Sequence, residues 1–175
     1  MDRALKAAEQ WHLERPDLET GAMVLLGRLG EAALLIARER LNPLFKEYGL
    51  QPGEFDVLAT LRRSGRQYAL TPTDLYEAAM ISSGSMTNRI DRLEKIGFVR
   101  RTANPADKRG TLVTLTLKGL EVIDRAVTAH VENQKAIVAA LHPDEQAQLS
   151  ALLAKLINNL NAPHEVSTDA RLRRR

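Results

Sequence analysis

From Met23 to Phe45 the residues Leu25, Leu26, Leu29, Ala33, Ile36, Ala37, Leu41 and Leu44 recur at three- and four-residue steps. That spacing predicts one long helix with a single apolar stripe, with Pro43 near its end. Upstream, residues 2–14 are polar-rich and helix-permissive and carry Trp11, the only tryptophan. Pro16 closes that segment, because proline cannot continue a helix. Downstream, Gly49, Pro52 and Gly53 mark a break. Glu54–Leu61 then reads as a short helix burying Phe55, Leu58 and Leu61. Thr71-Pro72-Thr73-Asp74 is a helix start, with Thr71 as cap and Pro72 in the first turn of a helix running to about Ala79. The next helix begins at Ser82 or Ser83 and stops at Gly97, with Met86, Ile90 and Leu93 as a narrow apolar stripe.

After Gly97 the period changes from helical to alternating. Phe98–Thr102 reads as a strand, Asn104–Gly110 as a basic turn, and Thr111–Leu117 as a returning strand, which together make a β-hairpin. A long helix follows from about Lys118 to Leu141, with Leu120, Ile123, Val127, Val131, Val138 and Leu141 on one face. His142-Pro143-Asp144-Glu145 opens a final helix, expected to bury Leu149, Leu152, Leu153, Leu156 and Leu160. The predicted organisation is an extra N-terminal helix (1–16), a helical dimerisation region (17–48 and 118–161), a DNA-binding unit (50–117) and a basic tail (162–175) expected to be disordered.

Composition narrows the function classes. The 175 residues include no cysteine, which excludes disulfides, thiolate metal sites and cysteine nucleophiles. The apolar runs are too short to span a membrane, and the acidic N-terminus has no signal-peptide core, so a cytoplasmic protein is expected. His12, His130, His142 and His164 show no metal-ligand spacing, so no metal is expected. The glycines form no phosphate-cradling loop, and Ser82-Ser83-Gly84-Ser85 lacks the strand-to-helix context of a nucleophile elbow. Neither an enzyme nor a bound cofactor is expected. The net charge of +3 is unevenly spread: residues 61–120 hold eleven Lys and Arg against five Asp and Glu, whereas residues 1–60 hold seven against ten. A basic middle third is the footprint of a phosphate-backbone binder, or else a solvated basic surface.

The element order separates those two. Helix, short helix, capped helix and hairpin is a winged helix-turn-helix, mainly α with a small β-hairpin wing. It places the second short helix in the major groove of double-stranded DNA. Ser83, Ser85, Met86, Thr87, Asn88, Arg89 and Arg92 are the candidate groove residues, small polar groups for base edges and arginines for phosphate or guanine. Asp107, Lys108 and Arg109 are the candidates on the wing. A wing arginine suits the minor groove, where the potential is most negative. Asp107 is expected to hold the Arg109 guanidinium by a charge-assisted pair.

The run from Asp107 to Gly119 resembles the wing signature of the MarR family of transcriptional regulators. Asp107, Arg109, Val113, Leu115, Thr116 and Gly119 match it at their offsets, and the resemblance covers about residues 20–160. It implies a homodimer on a palindromic operator. The apolar stripes of the first long helix and the two C-terminal helices suit such pairing, although they could also fold back on their own chain.

A narrower resemblance is to the urate-responsive subgroup of that family, which has an added N-terminal helix bearing a tryptophan. Matched through Phe55-Asp56-Val57, Asn88-Arg89-Ile90 and Gly97–Arg101, the subgroup's ligand residues fall on Trp11, Asp56, Arg89 and Arg101. The resemblance implies a small anionic aromatic effector, urate or a related purine, that releases a repressor from DNA. Trp11 would supply a stacking face and Arg89 a planar fork, with Asp56 paired to Arg101. Each residue also has a structural reading: Trp11 as packing for the extra helix, and Asp56–Arg101 as a scaffold ion pair. Two alternatives stay open. One is a MarR-type regulator sensing phenolic compounds or drugs in the dimer crevice; the other is an architectural winged-helix protein that senses nothing.

Overall fold

The computed structural model describes residues 2–79 and 86–162; the side chains of residues 108 and 109 also lie outside that description. Helix α1 (Arg3–Glu14) starts at Asp2, whose carboxylate accepts the Leu5 N–H at 2.9 Å. It packs on α2 (Gly21–Leu35) so closely that a Cβ on Gly27 would lie 2.8 Å from the Ala4 Cβ. Ion pairs Arg28–Asp2 and Arg3–Glu31 flank that contact.

The long helix expected from Met23 to Phe45 is not uniform. It widens into a π-helical segment (Ile36–Leu41) and resumes as α3 (Asn42–Glu47). Pro43 is the physical reason, since it has no N–H and its ring crowds the preceding turn. The Asn42 N–H reaches back five residues to the Ala37 carbonyl.

Helix α4 (Glu54–Arg63) is entered through Gly53 in the left-handed region, φ 79°. Thr71 caps α5 (Pro72–Ala78) as the sequence predicts, its hydroxyl accepting the Asp74 N–H at 3.1 Å. The described part of the next helix, α6, is Met86–Lys95. The predicted start of that helix, and Ser83 and Ser85 with it, lie outside the described residues.

The hairpin is longer and its turn tighter than predicted. Strands β2 (Val99–Asn104) and β3 (Asp107–Leu115) pair antiparallel out to Asn104 opposite Asp107, so Asp107–Gly110 belong to a strand and not to the turn. A further strand, β1 (Ala69–Leu70), pairs with β3 and makes the sheet three-stranded in the order β1-β3-β2.

Helix α7 (Leu117–Val138) is locked onto the sheet through Thr116 and Gly119. The Thr116 hydroxyl donates to the Gly97 carbonyl at 2.7 Å and accepts the Gly119 N–H at 3.0 Å. Any side chain on Gly119 would strike the Phe98 carbonyl, since its Cβ would lie 1.9 Å from that oxygen. The core joins α4, α5, α6, the sheet and α7, with Val57, Leu58, Leu61, Leu75, Leu93, Val113 and Ile123 fully buried. Each buried Leu, Ile or Val contributes roughly 1.5–3 kcal/mol.

The chain divides at residue 138 into two compact units. The second contains α8 (Pro143–Asn161), which opens with a capping box in which the Glu145 carboxylate accepts the His142 N–H at 2.7 Å. Of the leucines expected to be buried on α8, Leu149, Leu152 and Leu160 are exposed on this single chain, and Leu153 and Leu156 are partly covered. On α2 likewise, Leu25, Leu26, Leu34 and Leu35 are exposed.

Candidate nucleic-acid interface and effector crevice

Helix α6 is held by one narrow face. Met86, Ile90 and Leu93 are buried, so Met86 is a core residue rather than a groove residue. Thr87 and Asn88, on the first described turn, are exposed and free to approach base edges. The hairpin projects from the same fold, with Asp107 at the start of β3. The side chains of Lys108 and Arg109 lie outside the described residues, and the expected Asp107–Arg109 pair with them.

The arginines of α6 are more constrained than the sequence suggests. Arg92 forms an ion pair with Glu54 and donates to the Gly49 carbonyl at 3.3 Å. Glu54 is 1% exposed, and its carboxylate also accepts the Gln51 N–H at 2.7 Å. Arg92 thus ties α6 to the start of α4, a role the expectation of a groove contact missed. The signal in the sequence is Glu54 itself, an acid next to the Gly53 helix start and level with Phe55 and Leu58.

Arg89 also turns toward α4. Its guanidinium covers Gly53, where an added Cβ would meet Nε at 2.6 Å and Cζ at 2.7 Å. Its Nη1 is buried and has no hydrogen-bond partner. Asp56, one turn along α4, is half-buried, and burial pushes its carboxyl above the usual aspartate value. The positive charges of His130, Arg63 and Arg89 oppose that shift. Arg89, over Gly53, and Asp56, one turn further along α4, therefore lie at the same end of that helix.

The other two ligand candidates do not join them. Arg101, on β2, pairs with Asp91 and Glu94 of α6, and its backbone N–H donates to Glu94 at 2.9 Å. The expected Asp56–Arg101 pair is not formed; two acids spaced about one turn apart on α6 lie within Arg101's reach and take both its arms. Trp11 is 45% exposed and lines a shallow cavity formed with Ala7, Gln10 and Glu14 of its own helix.

His130 of α7 matches no metal spacing and so carries no signal of its own in the sequence. Its ring packs against Phe55 at 4.7 Å and Phe45 at 5.3 Å, and its Nδ1 is buried without a partner. Its position was readable in principle, since Ile123, Ala126 and His130 follow one another along the face of α7 that enters the core. Among the described residues no three His, Asp or Glu side chains are placed to hold a metal ion, and no helix is long and apolar enough to cross a membrane.

Comparison with known proteins agrees with this architecture. The MarR family model matches residues 50–111, which span α4 through most of the hairpin. The HTH-type transcriptional regulator PecS of Dickeya dadantii is 41% identical over 155 residues, 86% of this chain and 93% of that protein. Sco3205, a MarR family transcriptional regulator from Streptomyces coelicolor solved in complex with DNA, superposes with a TM-score of 0.72 at 28% identity, covering 83% of this chain and 91% of that one. A mutant MarR from Escherichia coli complexed with operator DNA superposes with a TM-score of 0.66 at 28% identity, covering 84% and 97%. These relatives are regulators and not enzymes, and the helix, sheet and wing that match them are those described above. The chain belongs to the MarR family and is a DNA-binding transcriptional regulator.

Proposed function

We propose that the chain is a repressor that binds a palindromic operator as a homodimer and is released by a small anionic aromatic ligand, urate or a related purine. The observation that carries the ligand part is the orphaned Nη1 of Arg89 beside Asp56, on the helix that presents Thr87 and Asn88. A buried guanidinium N–H without a partner suits an incoming oxyanion. A ligand that engages Arg89 acts on the recognition helix itself. Two such helices must sit about one DNA turn apart, roughly 34 Å, so a small shift of one against its mate weakens operator binding.

The homodimer is supported by the apolar faces of α2 and of α8, each exposed on its own unit. Exposed apolar area of that extent favours a partner surface. Light scattering is expected to give twice the 19.5 kDa chain mass at micromolar concentration. A monomer overturns this part of the reading.

The second reading, a phenolic compound in the crevice, is favoured by one observation: Arg101 is committed to Asp91 and Glu94, so the four-residue purine site is not assembled around Asp56. Operator binding at increasing urate, for wild type and Trp11→Phe, separates the two. Under the first reading urate releases the wild type, and Trp11→Phe responds more weakly. Release by salicylate and not by urate selects the second, and release by neither leaves a regulator without this sensor.

A further inference from the structure

Three polar groups gather along the first turn and a half of α4. Arg89 lies over Gly53, Asp56 projects from α4 itself, and His130 packs at a tilt against Phe55 from α7. Two of them present buried polar atoms with no partner, Arg89 Nη1 and His130 Nδ1. No side chain donates a hydrogen bond to the Asp56 carboxylate among the described residues. His130 and Asp56 feel each other's charge, and burial holds the imidazole below its usual pKa. A neutral ring with its proton on Nε2 offers Nδ1 as an acceptor. The start of α4 therefore gathers one unpaired donor, from Arg89, and two acceptors, Asp56 and His130. Orphaned polar atoms buried in a native fold mark the place where a ligand or an ordered water completes the bonding.

We propose that His130 is a ligand-contacting residue of the effector site, its Nδ1 accepting a ring N–H while Arg89 Nη1 donates to the adjacent oxygen of the same ligand. This rests on the reading that Asp56 and Arg89 belong to that site, and it sharpens the ligand class. An oxopurine carries carbonyl or oxyanion oxygens next to ring N–H groups, so it satisfies one donor and two acceptors together. A phenolic carboxylate such as salicylate meets Arg89 with its carboxylate, but its single O–H is already held by that carboxylate, so the two acceptors stay unpaired, and leaving a buried polar group unpaired is what gives such sites their discrimination. Phe45 and Phe55 fix the ring of His130 from behind, which holds Nδ1 in one place before the ligand arrives.

The test is calorimetric titration of the full chain with urate and with salicylate, for wild type, His130→Leu and His130→Asn. Urate is expected to bind His130→Leu at least tenfold more weakly than wild type. His130→Asn, whose amide reaches the position of Nδ1, is expected to recover part of that loss, and salicylate is expected to bind all three alike. If His130→Leu does not fold, the wild type still decides the matter: in protein labelled with nitrogen-15 histidine, saturating urate is expected to move the His130 Nδ1 resonance. Equal urate affinity in all three proteins, or an unmoved resonance at saturation, overturns the role of His130 while the urate reading stands. Wild type that binds salicylate and not urate, or that binds neither, overturns the effector reading and the ligand class with it.

Discussion

The guanidinium of Arg89 lies against the bare backbone of Gly53, at a distance that no side chain at position 53 can share: a Cβ there would be 2.6 Å from Nε. Gly53 is also in the left-handed region, φ 79°, as the residue that turns the chain into α4. Two separate costs therefore fall on Gly53→Ala, the backbone conformation and the displacement of Arg89. The first is about 1–2 kcal/mol. A urea unfolding series on Gly53→Ala, Arg89→Ala and the double variant separates them. The double variant is expected to recover the steric part only, giving a positive coupling between the two sites. Strict additivity contradicts the contact.

Arg92 and Glu54 make a different kind of pair. Glu54 is 1% exposed while the Arg92 side chain is 34% exposed, so removing Arg92 strands a buried carboxylate. Breaking a buried pair costs about 3–5 kcal/mol, and the partial solvation of Arg92 lowers the expectation to about 2–4 kcal/mol. Arg92→Ala is expected to show that loss in its unfolding free energy. Were Arg92 instead a phosphate contact, stability would hold and the slope of log affinity against log salt would fall by about one.

The wing yields a test of DNA binding that does not depend on the effector. Arg109 stands in the matched signature, on the hairpin that projects beyond the core. Arg109→Ala is expected to weaken operator binding by roughly 1–3 kcal/mol with the melting temperature unchanged. Operator affinity equal to wild type at physiological salt removes the wing from the interface.

What was legible in the sequence follows from which interactions are local. The Thr71 cap and the Gly97 stop each involve residues a few positions apart or one obligatory shape, and each appears where expected. Strand β1 has no signal in the sequence because two residues carry no alternation, and only pairing with Val113 and Thr114 makes them a strand. The turn is shorter than the sequence suggests because Lys108 and Arg109 look like loop residues, while cross-strand bonding carries the ladder out to Asn104 and Asp107. Arg89 reaches α4 at Gly53, one turn before Asp56. Arg101 does not reach Asp56, because matching a position along the chain does not say which acid its side chain meets, and Asp91 and Glu94 lie within its reach. Neither His130 nor Glu54 stood out, because a single polar residue on an apolar helix face has the same spacing whether it is packed, paired or poised.

Asp56 connects the crevice to stability through pH, with a definite sign. Burial raises its pKa above the ordinary 3.8, outweighing the attraction of His130, Arg63 and Arg89. The folded state therefore holds the Asp56 proton more tightly than the unfolded chain does. Between pH 3.8 and the raised folded value, stability falls as pH rises, and the penalty is complete once the pH has passed the folded value. Asp56→Asn carries no such charge, so it is expected to melt at a higher temperature than wild type at pH 7. That gain should shrink as pH falls through the folded pKa and vanish below 3.8, where both chains are neutral at this position. His130 works in the opposite sense. Its pKa is held below 6.5 by burial, so the folded state resists its protonation and loses stability as pH drops from 6.5 toward the lowered value. The acid-side loss due to His130 should accordingly set in at the same pH in both proteins and run deeper in Asp56→Asn, where the carboxylate that favours the imidazolium is gone. Thermal melts of the two proteins from pH 4 to pH 8 check both signs. A lower melting temperature for Asp56→Asn at pH 7 would mean that the charge is held by a bond stronger than the attraction of its neighbours, and that Asp56 belongs to the scaffold and not to a crevice kept open for a ligand.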